Sequence, residues 1–183
     1  MTAFERQVAA LGLPGVLAEP LREAASLAEA GAPGRIPFLL VAPGPRLDAL
    51  ARIDGATSML DADDLARWAP IDGVRVPASA AYLALDVDVG DATRGVTPDD
   101  AMATLAGEER SPLTLDEGLA LVTHHPETIA RNHGVQFPGS RCGDRRVTAI
   151  WLSGRQRKLG WCWAGNPHGW LGMASCAARW GAA

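Results

Sequence analysis

The densest chemistry in the chain lies between Leu159 and Gly172, where three tryptophans, four glycines, Cys162, Asn166 and His168 fall within fourteen positions. Trp161 and Trp163 are two residues apart, so on a strand both rings stand on one face. Asn166-Pro167 forces a turn that holds Asn166 and His168 at the mouth of whatever the rings line. An indole offers a large flat contact and one N–H donor, and glycine lets a backbone or a ligand approach closely. That is the chemistry of a small-molecule site in which Trp161, Trp163 and Trp170 form walls. It is equally the chemistry of a tight core. A histidine on such a turn serves either as a general acid or base or as a brace for the turn, and both roles are open for His168.

A second cluster, Gly139-Ser140-Arg141-Cys142-Gly143-Asp144-Arg145-Arg146, combines glycine-freed backbone N–H groups with three guanidinium forks. Arg141, Arg145 and Arg146 are therefore candidates to grip a carboxylate, sulfate or phosphate. The alternative is a salt-bridged loop in which a neighbouring arginine satisfies Asp144. Charge along the chain favours attention to this region: residues from Arg131 onward carry +7, whereas those before carry −11, within a total of −4. Such a division creates a field that attracts anions, unless the acidic helices fold against the basic third and neutralise it. Cys142, among arginines, is a candidate for a reactive thiol, although an inert buried one is the simpler expectation. Cys162 should face away from its two flanking rings as a small buried residue.

Other chemistries find little support. Zinc sites show paired ligands at short spacing, and adjacent His124 and His125 would point about 100° apart on a helix, so no metal is expected. No G-x-S-x-G elbow, Walker loop or G-x-G-x-x-G appears, and no cofactor is expected. An acidic balance and a single lysine, Lys158, argue against nucleic acid as a partner. The longest apolar run, residues 36–42, is strand-sized, so no membrane partner is expected. Met1 to Arg6 lacks a basic stretch followed by an apolar one, and the three cysteines form no CxxC pair, so a cytoplasmic protein with free thiols is expected.

The elements that must position these residues follow from pattern. Residues 1–32 read as helical, broken at Gly12 and stopped by Gly31-Ala32-Pro33-Gly34. Ile36 to Val41 is a buried strand, Pro45 to Ile53 a short helix, and Asp61 an N-cap. Tyr82 to Val89 alternates as a strand. Thr97-Pro98-Asp99-Asp100 opens one helix, and Thr114 to Glu117 forms a capping box that opens another with an apolar stripe of Leu115, Leu119 and Val122. Val147 to Leu152 and Leu159 to Ala164 flank a basic hairpin tip, residues 153–158, and Trp170 to Ala177 can add a third antiparallel strand. Helices first and strands last define an α+β class: N-terminal helices packed on a mostly antiparallel sheet with a C-terminal β-meander, in a single domain over residues 1–183.

Several of these blocks together resemble one family. Pro112 to Gly118, Leu121 to His124, Gly139 to Val147 and Leu159 to Gly172 are similar to an uncharacterised family of single-domain actinobacterial proteins, marked by a GWCWAGNPH-type motif. The likeness is strongest from Pro112 to Cys176. Between His168 and Trp170 the family pattern leads one to expect a threonine; here Gly169 removes that hydroxyl. The family carries no activity over. The resemblance to a bacterial family without housekeeping roles implies specialised metabolism. The expected function is then a metal-independent enzyme that binds an anionic small molecule, with Trp161, Trp163 and Trp170 as walls and Arg141, Arg145 and Arg146 holding the anion. Asn166 would orient the substrate and His168 would move a proton. The alternative is a non-catalytic sequestering protein, or a partner subunit that completes another enzyme's site; a homo-oligomer or protein partner is compatible with either.

Overall fold

Thr114 caps the helix on which the fold is assembled: its hydroxyl accepts from the Glu117 backbone N–H, and the Glu117 carboxylate accepts from the Thr114 N–H. The computed structural model describes residues 1–28 and 32–182. The chain begins α1 (Ala3–Leu11), α2 (Gly15–Ala28), β1 (Ile36–Val41), α3 (Arg46–Ala51), β2 (Ala56–Ser58), α4 (Ala62–Ala66), β3 (Ala69–Pro70) and β4 (Tyr82–Val87). It continues with α5 (Pro98–Gly107), β5 (Ser111–Pro112), α6 (Leu115–His124), β6 (Gly134–Phe137), β7 (Ser140–Arg141) and β8 (Arg146–Ser153). The last elements are β9 (Gln156–Trp163), β10 (Leu171–Met173), β11 (Ser175–Cys176) and β12 (Ala178–Gly181). This is an α+β fold with mostly antiparallel sheets.

Strands β1, β4 and β12 form a three-stranded antiparallel sheet. The β1 sequence is apolar throughout because both faces of this sheet are covered. Phe38 and Leu40 pack with Leu83 against Phe4, Leu21 and Ala25 of α1 and α2. Leu39 and Val41 point the other way, into the cluster that contains α6. On its far side α6 meets a second sheet of order β10-β6-β8-β9-β2, which contributes Val135, Phe137, Ile150 and Leu159 to the same cluster. A helix held between two sheets has no solvent face, which is why Ala120 and Leu121 are buried as well as the expected stripe. Gly118 serves this packing, since a Cβ there would lie 2.4 Å from the Phe137 ring.

Expected caps form at Thr97, whose hydroxyl accepts from the Asp100 N–H, and at Asp61, whose carboxylate accepts from the Asp64 N–H. Gly12 separates α1 from α2 with a left-handed φ of 61°. The helical assignment of residues 29–31 and the stop beginning at Gly31 lie outside the described residues.

Two expectations are corrected. The meander consists of β6, β8 and β9, and its tip is only Gly154-Arg155, because the strands continue to Ser153 and resume at Gln156. The segment after Trp170 does not extend this meander in antiparallel fashion. β2 already occupies the free edge of β9, running parallel to it, and the Met59 N–H donates to the Leu159 carbonyl. The chain therefore returns to the opposite edge, where β10 pairs parallel with β6. No helix among the described residues is long and apolar enough to cross a membrane.

Candidate functional site

The β8–β9 register sets Arg146 opposite Trp163 and Thr148 opposite Trp161, so these side chains rise from one face of the sheet. The rings of Trp161 and Trp163 meet edge to face, with centroids 4.9 Å apart and planes at 69°. The Arg146 guanidinium carbon stands 5.5 Å from the Trp161 ring centre and 5.8 Å from that of Trp68, a buried residue just after α4. The result is a ladder, Trp68–Arg146–Trp161–Trp163. Each cation–π contact contributes about 0.5–2 kcal/mol, depending on desolvation.

Asp144 locks the ladder's arginine. It accepts from the Arg146 backbone N–H and from Nε, both at 2.9 Å, and from the Cys142 thiol at 3.3 Å. The Arg146 backbone N–H bond holds the Asp144 carboxyl below its ordinary range, assisted by the guanidinium bond. Burial pushes the Cys142 thiol up, and its bond to Asp144 adds to that, so the arginines do not activate it. Burial likewise raises Cys162, and raises Cys176 to about 12.

Trp163 is the outer rung. It is 48% exposed and lines a hollow of about 640 Å³ with Asp144, Arg145, Gly165 and Asn166. Backbone bonds hold this rim: the Asn166 N–H donates to the Trp163 carbonyl, the Ala164 N–H to that of Arg145, and the Asp99 N–H to that of Ala164. Arg145 pairs with Asp99 at 2.7 Å, and Gly165 leaves it room, because a Cβ there would stand 3.0 Å from Nη2. Arg141 differs from its neighbours. Its Nη1 donates to the carbonyls of Pro138 and Ser140, and among the described residues it forms no ion pair. Burial depresses its pKa, against the opposing pull of the Asp99 charge. Asp99 and Asp144 thus balance Arg145 and Arg146, and Arg141 is not among the residues that line the hollow. Gly139, by contrast, is a packing residue: a Cβ would lie 2.5 Å from the Pro112 carbonyl oxygen.

The structure brings Trp161, Trp163, Asn166, Arg145 and Arg146 to one corner and leaves Trp170 and His168 out of it. Trp151 projects from the opposite face of β8 by strand alternation, and Trp170 packs on it with centroids 6.0 Å apart. The two rings line a smaller hollow of about 230 Å³ with Asn132 and His133. The His168 ring lies 5.4 Å from Trp170, and its carbonyl accepts from the Gly95 N–H. His133 Nε2 stands 3.3 Å from the Asp91 carboxylate.

His124 is half-buried at the end of α6. Its Nε2 sits 2.8 Å from the Leu40 carbonyl oxygen, and burial lowers its pKa from 6.5 to about 4. The fold therefore binds the neutral imidazole, whereas the unfolded chain takes up a proton below about pH 6.5. Stability from this residue is present above that pH and is lost as pH falls toward 4. His124→Gln, which keeps a donor for Leu40, should flatten the decline in urea-unfolding free energy over this window by about 2–3 kcal/mol.

Pattern gave no sign of Trp68, whose partner Arg146 is remote in sequence, or of a cleft of about 440 Å³ beside it. That cleft lies between the Pro43-Gly44-Pro45 loop and α4, with the Arg46–Asp116 ion pair at one end. Its only sequence signal is the proline–glycine punctuation after β1. An α+β protein with an arginine–tryptophan ladder opening into a shallow hollow is thus the class that fold and site define. The chain belongs to a family of unknown function, DUF5701, whose match covers residues 15–182. No curated protein and no solved structure matches the chain.

Proposed function

We propose that this protein binds a small anionic molecule in the hollow at the outer end of the ladder. The observation that carries this reading is the juxtaposition of half-exposed Trp163 with Asn166 and Arg145 around one hollow. An exposed indole supplies a flat contact, Asn166 a donor and an acceptor, and the guanidiniums supply charge. Binding without catalysis fits this corner better than proton transfer does. His168 belongs to the neighbourhood of Trp170, and Asp144, the acid of the hollow, is held ionised by Arg146. The proposed role is a sequestering protein or a partner subunit, cytoplasmic and within actinobacterial specialised metabolism.

Citrate, sulfate and phosphate at low ionic strength test it. Anion at ten times its Kd should raise the melting temperature of the wild type by roughly 3–5 °C. Arg141→Ala/Arg145→Ala and Trp163→Ala should each lose most of that shift, while His168→Ala keeps it. Equal shifts in the wild type and the double-arginine variant would rule this hollow out.

A further inference from the structure

We infer that the cleft beside Trp68 is a second, separate site, for a neutral and largely apolar small molecule that ends in a primary amide. The walls are Pro43, Pro45, Leu47, Leu65 and Trp68, and the volume of about 440 Å³ falls within the range of small-molecule sites. The polar end is the Arg46–Asp116 pair. Arg46 Nε and Nη2 each donate to a different Asp116 oxygen at 2.9 Å, and Nη1 donates to the Leu65 carbonyl. This closed pairing makes the polar part of the lining electrically neutral, so an incoming carboxylate or ammonium would find no unpaired counterion there.

The pair is neutral but not saturated. A guanidinium has about five N–H donors and a carboxylate about four lone-pair sites, and these bonds engage three donors and two sites. Both residues line the cleft, so the pair offers an otherwise apolar lining spare donors and spare acceptors together. A primary amide presents a matching acceptor and donor, and its apolar body would lie along the two prolines, Leu47 and Leu65. The site differs in charge from the hollow at Trp163 and does not depend on that hollow binding anything.

The test uses benzamide and benzoate, which share a ring and differ in the end group, followed by nuclear magnetic resonance. Benzamide should produce saturable shifts of the Gly44 amide and the Trp68 indole resonance, and benzoate should bind at least about tenfold more weakly. Ala66→Phe fills the cleft from an exposed position on α4, and Leu47→Asp places a charge at its exposed rim, so neither change burdens the core. Both should abolish the benzamide shifts, and Arg141→Ala/Arg145→Ala should leave them intact. Absence of saturable shifts in the cleft, equal binding of benzoate, or retained binding in both cleft variants would overturn the assignment. Loss of anion response with benzamide binding intact would sink only the hollow.

Discussion

Arg179→Ala should remove about 3–5 kcal/mol of folding stability, the cost typical of breaking a buried ion pair from one side. Glu117 is fully buried, and its carboxylate accepts from the Tyr82 hydroxyl at 3.0 Å, the Thr114 N–H at 2.7 Å and Arg179 Nη2 at 2.8 Å. Arg179 also donates to Ser111 Oγ and to the Pro112 carbonyl, so one side chain ties β12 to β5 and to the start of α6. Burial, and then the Glu117 charge, push the Tyr82 hydroxyl well above the ordinary tyrosine range and keep it a donor. Truncating Arg179 leaves a carboxylate inside the protein with no cation to balance it. Replacing both partners, as in Glu117→Leu/Arg179→Met, removes the orphan charge and should cost less than the two single changes summed. Urea unfolding of the four proteins measures this coupling. A loss below about 1 kcal/mol for Arg179→Ala would mean that water or another cation reaches Glu117.

What sequence pattern could reveal was whatever is local. The capping box at Thr114, the caps at Thr97 and Asp61 and the alternation that puts Trp161 beside Trp163 depend on residues within a few positions of one another. The same box residue, Glu117, also meets Arg179 and Tyr82, and no spacing rule announces those long-range partners. Edge pairings were illegible for a similar reason. β2 and β10 are each three residues long, and a parallel partner far away in sequence decides their place. The candidate site divided along the same line. Strand alternation correctly joined two tryptophans, but the path of the chain after Pro167 carries Trp170 and His168 toward Trp151 on the other face. The arginine cluster was legible as a cluster, and so was the pairing of Asp144 with a neighbouring arginine, which is Arg146, whereas the meeting of Arg145 with Asp99 depended on folding. Two of the four glycines in the tryptophan-rich stretch proved to be packing residues, Gly172 against the Gly90 backbone and Gly160, where a Cβ would lie 2.4 Å from the Trp151 ring.

Gly90→Ala should approach the loss of Arg179 in damage, at about 2–5 kcal/mol, through backbone geometry alone. Gly90 has a left-handed φ of 83°, and a Cβ there would lie 2.2 Å from the Met173 carbonyl oxygen. The contact is reciprocal: a Cβ on Gly172 would meet the Gly90 oxygen at 2.6 Å. Thr93 closes the approach, because its hydroxyl donates to the Gly90 carbonyl at 2.6 Å and accepts from the Met173 N–H at 2.8 Å. No rotamer change can relieve a clash with backbone, so β10 must move away from the Gly90 turn. Overpacking accounts for about 1–3 kcal/mol and the left-handed conformation for about 1–2 more. Gly95→Ala is the control, since φ is 78° there and nothing lies within 4 Å of the added carbon, so only the conformational part should appear. The ladder hangs on β8 and β9 and not on this contact, so a Gly90→Ala protein below its lowered melting temperature should keep the anion-induced shift assigned to Trp163 and Arg145. Equal losses for Gly90→Ala and Gly95→Ala in urea unfolding would show that β10 gives way easily. The close backbone contact would then be incidental to stability, and the glycine at Gly172 would need another explanation.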